Sequence, residues 1–398
     1  MDEKTIYIIL FFTLIRIAPT TAQVNDAQYQ IETLMEAASE NFEEGNDASS
    51  VLNDLEDLLH NKLNINTASD QELSKLHLLN DLQIEKLILH REKYGQYYSL
   101  YDMNVIESLN PEVLKKMEPF IWFGPTEDKS FNFREMFQYK KHELLLRTQG
   151  IVQEQAGYKP GKNGTIPFEG NKFRHYTRYK ITAGNNLSAG FTAEKDPGEA
   201  FFSGTNKYGY DFYSAYLSIQ PNQVIQNVTI GDYVVRGGQG LILWQGFSFG
   251  KSTNALSVSK LNQGIRPYTS ADENIFFRGA ATTLKIKKAL ISIFVSNKDL
   301  DGNKAGVDSI GQWITSLQST GYHRTVNETE DKHSVNDFNA GALVNWHLHN
   351  LRLGAVVLYR QFEFPLLPTD QPYNKFNFRG TINKTAGINY LYGKGKLQ

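Results

Sequence analysis

Lys172, Arg174, Arg178 and Lys180 recur at even spacing in KFRHYTRYK. In an extended chain successive side chains point to opposite faces, so these four cations share one face. Phe173, Tyr179 and Ile181 take the other. Such a stripe selects anions, as rings of charge do in pores, or is neutralised inside the fold by acids such as Glu194, Asp211 and Asp232. Arg278, Arg352 and Arg360 are candidates to extend it. His347 and His349 also stand two apart and present two imidazoles, the usual nitrogen ligands of a metal. No carboxylate accompanies them in sequence, so they read as interfacial histidines and no metal is expected. GFSFGKST (246–253) falls one residue short of a phosphate-binding loop, with Gln245 where the first glycine belongs. GGQGLIL (237–243) lacks the third glycine of a dinucleotide fingerprint. No serine–histidine–acid set or paired carboxylates stand at readable spacing. The expectation is no enzyme and no cofactor, and no small-molecule substrate is identified.

The elements that carry these residues are strands. Beyond about residue 130 apolar and polar positions alternate, as in FNAGALVNWHLHN followed at once by LRLGAVVLY, a hairpin turning near His349 and Asn350. In the first strand Phe338, Ala340, Ala342, Val344 and Trp346 share a face. LSAGFTAE, YDFYSAYLSI, NVTIGDYVV, NIFFRGAATTLKI, ALISIFVSN and AGINYLYG repeat the pattern. Segments of about ten alternating residues with aromatics near their ends, separated by longer polar stretches such as 297–310 and 319–336, are the signature of a transmembrane β-barrel. The 21 Tyr and 24 Phe supply the aromatic girdles. The chain ends in NYLYGKGKLQ, without the terminal aromatic usual for such strands. The expectation is therefore either a small barrel or, the favoured reading, a barrel cut short, a fragment of a longer protein.

The first part of the chain is different. MDEKTIYIILFFTLIRIAPTTAQ has Lys4, an apolar run from Ile6 to Ile15 and small residues to Ala22, a secretory signal peptide over 1–22. The 398 residues contain no cysteine, which excludes disulfides, thiolate metal sites and a lipoprotein anchor. A net charge of −2 hides an asymmetry. Residues 23–124 hold 19 acids against 7 bases, and residues 125–398 hold 22 acids against 32 bases. Two halves of opposite sign sit in different surroundings. Residues 23–61 read as an acidic segment of two short helices.

Residues 62–124 contain a repeat of period 30. Leu73, Leu76, Leu79, Asn80, Ile84 and Leu87 recur as Met103, Ile106, Leu109, Asn110, Leu114 and Met117. Ser69 and Glu72 form a capping box. The stretch from NINTASDQEL to LILHREKYG resembles the ComEA type of helix-hairpin-helix domain. The resemblance implies two hairpins whose Gly-apolar-Gly turns bring backbone N–H groups against a DNA phosphate. Here the matching positions are Leu78-Leu79-Asn80 and Ser108-Leu109-Asn110, so all four glycines are missing. Leu79 and Leu109 remain as core anchors, and Asn is expected to take the left-handed turn. If duplex DNA binds, Lys86 and Lys115 are candidate contacts, with Lys75, Lys93 and Lys116 able to complete a basic face, but the loss of both glycine pairs disfavours it.

GDYVVRGGQGLILWQGFSFGKS, RPYTSADENIFFRGAA and TGYHRT resemble stretches of outer-membrane proteins that carry an N-terminal helix-hairpin-helix module. This second resemblance implies a family but no activity. The expected fold class is an all-α N-terminal helix-hairpin-helix module plus an all-β antiparallel transmembrane β-barrel over 125–398. The implied location is the outer membrane of a Gram-negative bacterium, with the helical module in the periplasm. The implied partners are outer-membrane lipid and a periplasmic protein, unless the module plugs the lumen. A structural, channel or assembly role follows; the alternative is a DNA-uptake component.

Overall fold

The computed structural model describes residues 49–106, 109–126, 140–183, 186–222, 224–244, 262–306, 311–348 and 351–392. The signal peptide, the first acidic helix, Ser108, His349 and the GFSFGKST stretch lie outside the described residues.

The helical module consists of α1 (Ser49–His60), α2 (Asp70–Leu73), α3 (Asp81–Tyr94), α4 (Leu100–Met103) and α5 (Pro111–Met117). A two-residue parallel pair, β1 (Leu63–Asn64) with β2 (Ile121–Trp122), ties its ends together. The apolar members of the 30-residue repeat all enter one core with Leu55, Ile65 and Phe120. Ser69 and Glu72 cap α2 reciprocally, and Asn80 and Gln83 do the same for α3. Asn110 caps α5, with Pro111 at the first helical position.

NINTAS works here as a clasp. The Asn66 side chain donates to the carbonyls of Tyr97 and Gly124, each at 2.9 Å, and accepts from Tyr97 N at 2.7 Å. Arg91 donates to the carbonyls of Ile65 and Ala68. These bonds satisfy buried backbone groups that no ladder reaches.

The remaining chain is an antiparallel meander: β3 (Lys140–Gly150), β4 (Phe173–Ala183), β5 (Leu187–Lys195), β6 (Phe212–Ile219), β7 (Ile225–Arg236), β9 (Phe277–Ile286), β10 (Ala289–Leu300), β13 (Val335–Leu348), β14 (Leu351–Leu366) and β15 (Gly380–Tyr392). The short β8 (Gly264–Pro267) pairs with β7. The hairpin β11 (Gly302–Ala305) and β12 (Trp313–Leu317) touches β14 through Ile314. The expected hairpin near His349 is present, Leu348 pairing with Leu351.

A closed barrel is not found. Among the described residues β3 pairs only with β4 and β15 only with β14, so the meander has two free edges.

One rim carries short connections (184–186, 220–224, 287–288, 349–350). The other carries long loops (151–172, 196–211, 237–276, 301–334, 367–379), with α6 (Val326–Asp331) in the fourth. At Gly231 the strand β7 leaves β6: its φ is +98°, and a Cβ there would lie 2.3 Å from the Ala215 carbonyl oxygen. Only glycine adopts this backbone without strain. Beyond it Tyr233, Val234, Val235 and Arg236 are all buried and pair with β8 instead. The Asn227 amide donates to Ile265 O, which places β8 over the inner face.

The two faces of the sheet are unlike. The inner face carries Arg178, Ser214, Ser218, Ser292, Asp337 and Asn339, all buried. It also carries an apolar core around Tyr233, Ile265, Phe294 and Leu343. The outer face exposes Leu144, Tyr179, Phe191, Leu217, Ile230, Ile293, Val295, Val344, Trp346, Val357 and Ile388. Cross-strand pairing makes this a continuous belt. Leu217 lies opposite Ile230, Ile230 opposite Ala280, Ala280 opposite Val295, and Val295 opposite Ala340.

Candidate functional site

The site that the fold builds most elaborately is the contact between the helical module and the inner face. Arg352, at the start of β14, lies 3.1 Å from the Asp81 carboxylate and 3.1 Å from that of Glu85, both on α3. The N–H of Asn262 donates to Asp81, and Gln263 donates to Ser74 O at 3.0 Å. Asp54 of α1 accepts from Arg266 at 2.8 Å and meets His77 at 2.8 Å. Lys180 of β4 pairs with Asp57, and Lys141 of β3 with Asn61. The acidic module thus meets the basic sheet through four carboxylates. The opposite charges of the two chain segments, which suggested different surroundings, instead bring the segments together.

Burial sets the protonation of these acids. Desolvation pushes Asp81 up to about 6 against the pull of Arg352. Desolvation also opposes ionisation of Asp54, yet Arg266 and the His77 hydrogen bond hold its carboxyl well below the usual range. Burial lowers His77 against the pull of Asp54 and so favours the neutral imidazole. A buried charge is tolerable only when paired and hydrogen-bonded, and each here has such a partner.

The predicted nucleic-acid residues separate into two groups. Leu79 and Leu109 are buried core anchors. Leu78 is half-buried against the same core. Asn80 differs from expectation: it is a helix cap with φ −86°, and the left-handed residue of the first hairpin is His77, with φ 54°. Asn does not need the strained conformation because its side chain is occupied by the cap. The start of α3, which would face a phosphate, faces Asn262 and Arg352 instead. Lys86 is half-buried on α3. The second hairpin remains open, with Asn110, Pro111, Lys115 and Lys116 exposed.

Three of the four cations of the stripe are spent on ion pairs. Arg174 pairs with Glu194, Arg178 with Glu143 at 2.6 Å, and Lys180 with Asp57. Lys172 is exposed just before β4. Of the extensions, Arg278 binds Asp232, Arg360 binds Asp337 and Arg352 binds the helical module.

A second constellation escaped sequence reasoning because its members come from three long loops. His323, 2 % exposed, places Nδ1 2.5 Å from Asp211 and Nε2 2.9 Å from Asp301. Its backbone N–H donates to Glu199, and Lys332 pairs with Asp211 at 2.7 Å. Burial opposes the imidazolium, but the two aspartate hydrogen bonds hold it up at about 10. Burial opposes the Asp211 anion too, yet His323 and Lys332 bring its carboxyl down to about 2. Burial, then the Asp211 charge, lift Glu199 to about 7 and raise Glu273 as well. Ligand atoms of Glu199, Asp211 and His323 lie within 4.8 Å of one another, as do those of Glu273, Asp301 and His323. A cation fits that spacing, but both ring nitrogens already serve carboxylates. The arrangement acts as a latch across the loops. His347 lies on the inner face opposite Arg352, away from this cluster.

Residues 60–122 match the family model for the helix-hairpin-helix motif. No curated protein and no solved structure matches the chain. The motif is compatible with nucleic-acid binding, and a mostly antiparallel β-sheet domain follows it.

Proposed function

We propose that this chain forms a β-barrel wall, or part of one, in an outer membrane, and that its ComEA-like helix-hairpin-helix module is a plug on the inner face. The observation that carries the reading is the inverted polarity of the sheet. A water-soluble sheet buries its apolar face; this one buries Ser, Asp, Asn and Arg and exposes a belt of Leu, Ile, Val and aromatics. In lipid the arrangement is the expected one. An apolar patch of this extent is otherwise rare on a monomer. The rim of short turns, where the module docks, corresponds to the periplasmic side of such barrels, and the long loops to the outside.

The module's role is structural in this reading. Its first hairpin is committed to Arg352 and Asn262, and the apolar core around Tyr233 and Phe294 occupies part of the interior, which does not favour an open channel. We assign no catalytic activity. The experiment is migration of the full chain on a detergent gel with and without heating. An unheated folded form that runs apart from the heated one supports the reading; identical mobility contradicts it.

A second reading keeps duplex DNA as a partner. The exposed second hairpin with Lys115 and Lys116 favours it. Missing glycines and the neighbouring Glu112 weigh against a phosphate there.

A further inference from the structure

Above the helical module, toward the long loops, the inner face lines a half-open cavity of about 310 Å³. That is the low end of small-molecule sites, roughly 300–1,000 Å³. Its wall mixes aromatic side chains, Trp244, Phe276 and Phe277, with amides such as Asn339. Three of its lining residues are charged: Lys298, Arg360 and Asp337.

The charges do not balance. Lys298 and Asp337 stand directly opposite each other on β10 and β13. Yet the Asp337 carboxylate is occupied by Arg360, through two bonds at 2.8 and 2.9 Å. Lys298 is 8 % exposed. It donates to the Glu273 carbonyl at 2.5 Å and lies 3.6 Å from the Phe276 ring centroid. Among the described residues it forms no ion pair with a carboxylate. One carbonyl and one ring face do not exhaust three N–H donors. The segment 245–261, which follows Trp244, contains no Asp or Glu. A buried ammonium without a counter-charge is costly, and natural proteins pair such groups. Here a cation with no carboxylate in direct ion-pair contact among the described residues lines an aromatic-walled cavity, with Asp232, Asp272 and Glu273 acting on it only from farther away.

We propose that this cavity is a binding site for a small organic anion, a carboxylate attached to a flat apolar body. Lys298 receives the charge, and Trp244, Phe276 and Phe277 hold the body. Arg360 stays with Asp337 and shapes the wall. The inference goes beyond the membrane reading and does not depend on which solvent covers the outer face.

The test is fluorine NMR titration of the full chain in nonionic detergent with 4-fluorobenzoate and with the neutral 4-fluorobenzamide. The acid is expected to bind at least tenfold more tightly than the amide. Lys298→Met is expected to bring the acid down to the level of the amide, while Lys298→Arg retains binding. Equal binding of the two probes overturns the proposal, as does undiminished binding by Lys298→Met. No binding up to about 10 mM, within reach for ligands this small, also overturns it. If Lys298→Met does not fold, Leu358→Trp, which narrows the cavity and leaves the charge in place, must abolish binding of the acid. Undiminished binding there overturns the proposal.

Discussion

Arg352 holds Asp81 at 3.1 Å with both side chains 6 % exposed, and the pair joins the first residue of α3 to the start of β14. Together with Gln263 on Ser74 O and Asn262 on Asp81, this contact holds the first hairpin against the sheet. Removing one partner of a buried pair costs about 3–5 kcal/mol, because the other charge is left alone. Arg352→Met is expected to loosen the helical module by that amount. The double variant Arg352→Met/Asp81→Ala should recover a large part of it, since close pairs are not additive. Denaturant unfolding of both variants measures the difference.

The His323 latch carries a pH dependence whose sign follows from its shifts. The imidazolium is held at about 10, above its unfolded value of 6.5, so its stabilisation is complete below 6.5 and is lost as pH rises toward 10. Glu199, raised to about 7 from 4.5, acts in the same direction between those values. Asp211, lowered to about 2 from 3.8, contributes above 3.8 and loses its effect as pH falls through 2. Proteolysis of the long loops should therefore accelerate from pH 6.5 to 10. His323→Gln is expected to cleave faster at pH 6.5 and to show a flatter profile across that range.

Nucleic-acid binding is expected to be weak or absent. The full chain in detergent should not retard duplex DNA at low salt. If it does, Lys115→Glu/Lys116→Glu on the open hairpin should abolish retardation. The salt slope should then correspond to only a few phosphate contacts, at about 0.9 per contact. Retardation unaffected by these changes contradicts the placement of the two hairpins.

The outer belt gives a sharper contrast. Ile293→Arg places a charge in the middle of the exposed face of β10. Against lipid the cost is about 2–4 kcal/mol, whereas an exposed site in water typically changes by less than about 0.5 kcal/mol. Refolding into vesicles with a urea midpoint decides which applies.

Local chemistry was readable in the residues, and long-range partnership was not. The repeat placed Leu73, Met103, Ile84 and Leu114 in one core because helical spacing alone selects the buried face. The faces of β13 and β4 followed from alternation. The left-handed residue was misplaced on Asn80: sequence shows that Asn tolerates such a turn, not that a cap already uses its side chain. His323 was passed over because Asp211 and Glu199 lie more than 100 residues away and meet it only once three loops fold together. The open edges at β3 and β15 agree with a barrel expected to be incomplete, but which strands form them was not readable, since alternation specifies a face and not its neighbour. Charge was read the wrong way. The acid-rich and base-rich segments suggested different surroundings, whereas Asp54, Asp57, Asp81 and Glu85 bring them into contact with each other.

The central claim is that the apolar face of the sheet meets lipid. The chain has no cysteine, so a spin label on one introduced cysteine reports a single position. Labels at Ile293, Val295 and Val344 on the outer face, and at Ser292 and Asn345 on the inner face, can be compared in vesicles. Accessibility to oxygen and to a water-soluble nickel chelate is measured at each. The account predicts high oxygen and low nickel accessibility at the first three positions and the loss of that pattern at the other two. High nickel accessibility at Ile293, Val295 and Val344 would contradict it.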